Sequence, residues 1–550
     1  MAVEVIHGET ATAGLLAGAK KIYDTVRITL GPKGRNVILK ELRGGAFMTN
    51  DGVTIARQVA LGDEVEDAGA KLVIQAATLT NEHAGDGTTA TVILAYNLLQ
   101  KGLEKVRRGM NVVALQHSLE KYAQMLERMI YETATQLDHS ELKKVAMISA
   151  NDERLGEVIA EAIEYAGPDG GVIVEERSLP GIEWKKEEGI SLPMGLIHPD
   201  FFANDPIGRR AIYDDIPVII ADQKISSMRQ LLPLVTRLGQ IMDDAGAPIN
   251  RLLVIANDFA PHVLADIIQN MTESRFYILP LIAPGGGDVR SALLRDYASV
   301  VDCEVIVNVS ELRTILSDSK SVGYAKRVES RRGKTVILGG RGNLTEATAN
   351  RIRALKEEMK EVSDEFLQNS MKDRIATLSS KISLIAVGAT TPIGLMEMKY
   401  RIEDAVNSCR AALDKGVVAG GGVCLHNLSF EGCNKLGASS PEELAAVEIL
   451  RDALTKPYAQ ILENAGAKLS QKGVQIPMSD GYGYDAKGDM KAQVFMLDAG
   501  IVDPARVVAE EVLNSVGVAA ALLTAGAIII QKSREAAEVL RGIKALKDEE

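Results

Sequence analysis

The stretch Gly85-Asp86-Gly87-Thr88-Thr89 sets a carboxylate between two glycines and follows it with two hydroxyls. Ahead of it Leu72, Val73, Ala76, Ala77 and Leu79 recur at helical spacing, and behind it Val92, Leu94, Leu98 and Leu99 do the same, so the stretch joins two helices. Glycines at such a joint let backbone approach a ligand that a Cβ would block. The start of the second helix offers unpaired N–H groups and the positive end of a dipole, which suits a phosphate, and Thr88 and Thr89 add hydroxyl donors. Asp86 repels a bare phosphate. The set becomes consistent when a hard cation such as Mg²⁺ lies between the two, held by a carboxylate oxygen on one side and phosphate oxygens on the other. Read alone, so short a string is more economically a turn with an N-cap.

The elements that must position this joint are mostly helices. Residues 9 to 29 carry apolar side chains at helical spacing and run into Thr29-Leu30-Gly31-Pro32-Lys33-Gly34-Arg35-Asn36, where Gly31 and Pro32 end the helix in a turn able to support a phosphate or an adenine. Val37 to Leu39 and Ala46 to Thr49 read as a hairpin turning at Gly44-Gly45, and it delivers a second acidic turn, Asn50-Asp51-Gly52-Val53-Thr54. Strand-like runs at 218–221, 252–255, 277–279 and 305–307 alternate with helical stretches, which argues for a sheet covered by helices. Two of those helices are amphipathic, one through Leu231, Leu232, Leu234, Val235, Leu238 and Ile241, the next through Val263, Leu264, Ile267, Ile268 and Met271. Helical patterns return at 442–465 and 504–525. Both ends of the chain are therefore alike and differ from its middle.

Composition excludes several classes. A chain of 550 residues is too long for one core, and its 46% hydrophobic and 25% charged content is that of a globular protein. The formal charge of -12 argues against a nucleic-acid partner. No apolar run is expected to reach membrane-spanning length and the opening MAVEVIHGETATAG lacks the marks of a signal peptide, so no membrane partner and a cytoplasmic location are expected. Cys303, Cys409, Cys424 and Cys433 lack metal-ligand spacing, no His-Glu-x-x-His occurs, and no Gly-x-x-x-x-Gly-Lys-Ser/Thr loop is present.

The strings Leu-Gly-Pro-Lys-Gly-Arg-Asn at 30–36, Asp51-Gly52-Val53-Thr54, Gly85-Asp86-Gly87-Thr88-Thr89, Glu403-Asp404-Ala405, Arg410-Ala411-Ala412, Gly416 to Gly422 and Asp503-Pro504, in this order, resemble a group I (GroEL-type) chaperonin over nearly the whole chain. The resemblance implies a multidomain α/β chaperonin fold. Its helical equatorial ATP-binding domain would take 1–132 and 415–550, its small intermediate hinge domain 133–187 and 383–414, and its α/β apical domain 188–382. It implies an ATPase coupled to protein folding, with ATP and Mg²⁺ as cofactors. Asp86 would hold Mg²⁺, and Gly87, Thr88 and Thr89 the phosphates. Thr29, Leu30, Gly31 and Pro32 would contact the nucleotide, Gly31 and Pro32 near its α-phosphate, with Gly421 and Asp503 against the adenosine and Ile501 and Ala486 against the base. Asp51 and Asp404 would polarise the attacking water, Asp404 arriving with a moving intermediate domain. Leu196, Phe201, Leu232, Val235, Leu264 and Ile268 would line a groove for non-native polypeptides. The implied assembly is a homo-oligomeric ring, about seven subunits as in the family, served by a separate GroES-type lid.

The sequence departs from the family's pattern at identifiable places. Ala90 stands where a third threonine is usual, and Asn50 where a lysine is usual, which bears on K⁺ dependence. Asp200 and Gln269 put polar groups into the expected apolar groove. The end, Lys532 to Glu550, alternates charge with leucine in place of a Gly-Gly-Met tail. These departures motivate an alternative, a holdase or scaffold of the same fold with weak or lost ATPase. A metabolic kinase would also use the acidic turn, but no acceptor-site signature accompanies it.

Overall fold

A computed structural model describes residues 2–40, 46–49, 52–137, 139–150, 152–167, 170–177, 179–187, 189–205, 209–239, 249–274, 276–307, 321–339, 344–361, 365–379, 381–467 and 481–532. The chain divides into two compact units, one built from residues 1–160 and 389–550, the other from 161–388. Helices of eight residues or more are numbered below.

The first unit opens with strand β1 (Ala2–His7) and α1 (Gly8–Val26), then the hairpin β2 (Val37–Lys40) and β3 (Ala46–Thr49). Helices α2 (Glu64–Ala84), α3 (Thr88–Arg107), α4 (Val112–Thr133), α5 (His139–Ala150) and α6 (Glu153–Ala166) follow, the last running into the second unit. Asp63 caps α2 by accepting the Val65 and Glu66 N–H groups, and Asn111 caps α4 in the same way. Helices α1 and α2 cross closely because both crossing points are glycine: a Cβ on Gly18 would stand 1.8 Å from the Glu66 carbonyl oxygen, and one on Gly69 2.2 Å from that of Leu15. The turn residues Gly44 and Gly45, the pair Asn50 and Asp51, Ile241, and the charged end Ser533 to Glu550 lie outside the described residues.

The second unit carries two sheets. One is three-stranded, with β12 (Ile382–Gly388) between β4 (Gly171–Glu176), which it meets in parallel, and β5 (Gly181–Glu187), which it meets antiparallel. The other has the order β6 (Gly189–Leu192), β11 (Lys334–Leu338), β10 (Gly323–Arg331), β7 (Ala211–Ile225), β8 (Arg251–Phe259), β9 (Tyr277–Ile282). Strands β7, β8 and β9 run parallel, and the crossover between the last two is α7 (Pro261–Ser274). The expected strand at 305–307 is reduced to one bridge, Ile306 to Ala221, at the end of a helix, α8 (Gly287–Val301). The charged helices α9 (Leu344–Glu361) and α10 (Glu365–Leu378) pack on α8 through a buried ionic knot. Arg351 Nε donates to Asp296 Oδ1 at 2.7 Å, while Arg374 donates to Oδ2 at 2.5 Å and to Oδ1 at 2.8 Å.

On returning to the first unit the chain forms α11 (Pro392–Lys415), β13 (Val417–Ala419), α12 (Pro441–Leu454), α13 (Lys456–Asn464), the hairpin β14 (Tyr482–Tyr484) and β15 (Gln493–Phe495), β16 (Val502–Pro504), α14 (Ala505–Thr524) and β17 (Ala527–Lys532). The helical pattern at 442–465 is broken at Thr455 because Pro457, fixed in φ and lacking an N–H, begins a new helix. By length and composition α14 would cross a bilayer, contrary to the expectation that no run is long enough, but it is mostly buried against α2, α3 and α4. Strand β17 pairs antiparallel with β1, so the two sequence halves of this unit close on each other.

Asp296 has almost no exposed surface and satisfies two arginines, so Asp296→Ala leaves buried guanidinium charge unpaired. We expect a loss of about 3–5 kcal/mol in the stability of the second unit. Denaturant unfolding checks this, and a loss under about 1 kcal/mol would mean the knot is dispensable.

Candidate functional site

The joint between α2 and α3 takes a shape only glycine tolerates. Gly85 closes α2 in the left-handed region at φ 76° and Gly87 precedes α3 at φ 84°. A Cβ on Gly85 would lie 2.1 Å from the Asn407 Cβ on α11, and one on Gly87 would lie 2.7 Å from Glu511 Oε1 and Val507 Cγ1 on α14. Two helices thus clamp the turn. Gly87 offers no side chain to cap α3, which leaves the first N–H groups of the helix to external acceptors. Thr91 secures the start from inside, its hydroxyl donating to the Gly87 carbonyl at 2.9 Å and lying 3.0 Å from the Thr80 hydroxyl. The Asp86 carboxylate is held at both oxygens, Oδ1 by the Gly87 N–H and Oδ2 by the Ser408 hydroxyl, each at 2.7 Å.

Around this turn lies a cavity of about 490 Å³, within the range for small-molecule sites. Its polar wall carries Asp86, Gly87, Thr88 and Thr89, and its rim carries Thr29, Leu30, Gly31 and Pro32. Asn464 fixes that rim by donating to the Arg27 and Leu30 carbonyls, both at 2.9 Å, and Gly31 turns it at φ 86°. Strand β13 pairs with β16 so that Val418 stands opposite Asp503, whose carboxylate accepts from the N–H groups of Gly421 and Gly422, while Ile501 and Ala486 join Met496 and Tyr484 in an apolar wall. All residues expected to contact a nucleotide therefore line one cavity. A second cavity of about 140 Å³ shares Asp86, Thr88, Thr89 and Ser149 with it and is lined by Asp404 together with Glu397, Tyr400 and Arg401 of α11. Asp51 lies outside the described residues, though its neighbour Gly52 contributes to the smaller cavity. A side chain at Gly52 would strike the Thr88 and Thr89 hydroxyls, at 3.0 and 2.5 Å.

The residues present fit a magnesium nucleotide. Uncapped helix N–H groups and two hydroxyls match phosphate oxygens. Mg²⁺ can be taken by one carboxylate with phosphate and water as the remaining ligands, and Asp86 stands beside the hydroxyl pair to supply it. Ala90 is buried beside the hydroxyl pair and adds no donor.

In the second unit the residues expected to bind clients divide. Phe201 is 60% exposed and Leu232 53% exposed, whereas Val235, Leu264 and Ile268 are half-buried against the sheet core. Leu196 departs from the expectation. It is 6% exposed and bridges Leu281 of β9, so its side chain belongs to the core. Asp200 is paired with Arg209 at 3.3 Å and Gln269 donates to Glu273 at 2.8 Å, so both polar intruders have local partners.

Comparison with known proteins gives a match to the TCP-1/cpn60 chaperonin family over residues 22–194 and 284–533. The chain belongs to that family. Two crystal forms of the chaperonin gp146 from the bacteriophage EL 2 (Pseudomonas aeruginosa), both in presence of ATP-BeFx, are similar in fold. One has a TM-score of 0.67 at 20% identity and the other 0.60 at 21%, each covering 96% of this chain and 99% of that one. This chaperonin therefore has the multidomain α/β chaperonin fold.

Two residues lining this chaperonin's cavities, Ser149 and Glu511, and one buried behind Asp86, Ser408, were not found from sequence. Ser408 and Ser149 sit in helices α11 and α5, where a lone serine carries no local signal. Glu511 lies on α14, is 7% exposed, and faces the cavity beside Gly87. A glutamate in a largely apolar helix was the available clue. Burial pushes the Glu511 carboxyl well above the ordinary range, and the Asp503 and Asp86 charges add to the effect. Burial likewise raises Asp503 to about 6, helped by Asp86 and opposed by the N–H groups of Gly422 and Gly421.

A carboxyl raised in the native state binds a proton there that the unfolded chain has already released. Its stabilising contribution is complete below the unfolded value of about 4.3 and is lost as pH rises through the folded value. Glu511→Gln, which cannot ionise, should therefore melt above the wild type at pH 8 in nucleotide-free buffer, with the gap closing toward pH 4. A gap that stays constant across that range contradicts the assignment.

Proposed function

We propose that this chaperonin is an ATP-dependent protein-folding chaperone that works as a homo-oligomeric ring, capturing non-native polypeptides and using ATP hydrolysis to move its domains. The observation that carries this reading is the convergence of Asp86, Thr88, Thr89, the Thr29–Pro32 turn, Gly421 and Asp503 on one cavity, with Asp404 in an adjoining cavity that shares the acidic turn. Bound Mg-ATP supplies the phosphoanhydride whose hydrolysis drives the cycle. Asp86 holds the cation through its carboxylate, and Thr88 and Thr89 orient phosphate oxygens by donating from their hydroxyls. Ile501 and Ala486 shield the base from water, while Asp503 accepts hydrogen bonds from the sugar. Asp404 holds the attacking water and takes its proton at a carboxylate oxygen, and Asp51 shares that task.

The three-domain division implied by resemblance, with an equatorial body, an intermediate hinge and an apical inserted domain, belongs to the same proposal. Phe201, Leu232, Val235, Leu264 and Ile268 form its client surface, and a GroES-type lid serves as its partner. Subunits meet by edge pairing at the hairpin β2–β3, whose Ile38 and Met48 are exposed, and at the outer edges of β1 and β17. Ala90, which leaves the phosphate-binding turn one hydroxyl short, favours a second reading in which the same assembly holds clients without turning over ATP.

The deciding measurement is phosphate release from Mg-ATP by wild type and Asp404→Ala, with native mass taken on the same samples. Turnover in the wild type and a loss of about 10²-fold or more in the variant, with nucleotide binding retained, are expected. A ring that forms yet releases no phosphate in the wild type would replace the folding machine with the holdase.

A further inference from the structure

Helix α11 meets the acidic turn at two adjacent residues. Asn407 lies so close to Gly85 that no side chain fits there, and Ser408 donates its hydroxyl to Asp86 Oδ2 at 2.7 Å. Ser408 is 1% exposed, and its own oxygen accepts from the Ser149 hydroxyl of α5 at 3.2 Å. A hydroxyl has one proton to give. The Asp86 carboxylate can only accept, so the Ser408 proton is committed to it, Ser149 must be the donor in the other contact, and the chain of bonds has one direction, Ser149 to Ser408 to Asp86.

A carboxylate side chain turns about two bonds, so one donor at one oxygen does not fix its plane. Asp86 has a donor at each oxygen, one from the turn's own backbone and one from another helix. The backbone donor goes wherever the turn goes, so the side chain from α11 adds a constraint on the plane that the turn itself does not supply. We propose that Ser408 is a positioning residue for the metal-holding carboxylate, orienting Asp86 through its hydroxyl and tying the cation site to the helix that carries Asp404. This rests on the reading of the turn as a magnesium-nucleotide site.

Asp404 and Ser408 are four residues apart on α11 and share one face. The bond that orients Asp86 therefore also fixes the height at which α11 presents Asp404 to the smaller cavity. Losing an outer partner of this kind typically costs about 10–100-fold in metal affinity. The ordinary alternative is a buried serine that merely satisfies its hydrogen bonds, and it predicts an effect on stability with none on metal dependence.

The test is calorimetric binding of ADP with and without Mg²⁺ to the full chain as wild type, Ser408→Ala, Ser408→Thr and Ser149→Ala, with thermal melts alongside. Mg²⁺ should tighten ADP binding in the wild type. In Ser408→Ala that enhancement should fall roughly tenfold while metal-free ADP binding stays within about twofold. Ser408→Thr, which keeps the hydroxyl, should restore it, and Ser149→Ala should fall between. Unchanged enhancement in Ser408→Ala overturns the proposal, as does an equal loss with and without metal. A wild type that binds no ADP in either buffer removes the nucleotide site itself, an outcome distinct from both.

Discussion

Everything at the candidate site depends on one backbone constraint: two left-handed glycines on either side of Asp86. Left-handed backbone costs an ordinary residue about 1 kcal/mol or more, and here the space a Cβ would need is already taken by Asn407 and Glu511. The tight turn is what lets α3 begin with uncapped N–H groups facing a cavity while the carboxylate stays alongside them. The clamp and the binding surface are made by the same few atoms. Helix α11 touches one side of the turn and α14 the other, so any movement of either helix is felt first at Asp86.

The clamp places three carboxyls, Asp86, Asp503 and Glu511, around a space that also suits phosphate. Such a concentration of acid is tolerable because burial keeps part of it protonated and because the N–H groups of Gly421 and Gly422 offset the charge on Asp503. A cation entering beside Asp86 would relieve the same repulsion, which is why metal and nucleotide are expected to bind together.

Much of this was legible in the sequence where function is written in local backbone chemistry. Gly85 to Thr89 showed a helix end, a turn and a helix start in five residues, and Gly31-Pro32 showed a helix stop. What could not be read was contact between distant helices. Ser408 looks like any serine on an amphipathic helix until α11 is laid against the turn, and Glu511 lies in an apolar helix whose burial only the packed fold reveals. In the second unit, Leu196 follows an extended stretch that gives no sign of which face meets β9. Val305 to Val307 has the composition of a strand, but it keeps one bridge because it follows α8 at the edge of the parallel strands.

The pairing of β1 with β17 has a consequence for synthesis. The first unit cannot close until residues near 527 have left the ribosome, since its N-terminal strand waits for that partner. The second unit, residues 161–388, is complete in sequence well before then. Vectorial translation therefore gives the inserted unit the first chance to fold, while α1 to α5 remain an unclosed set of helices with apolar faces open.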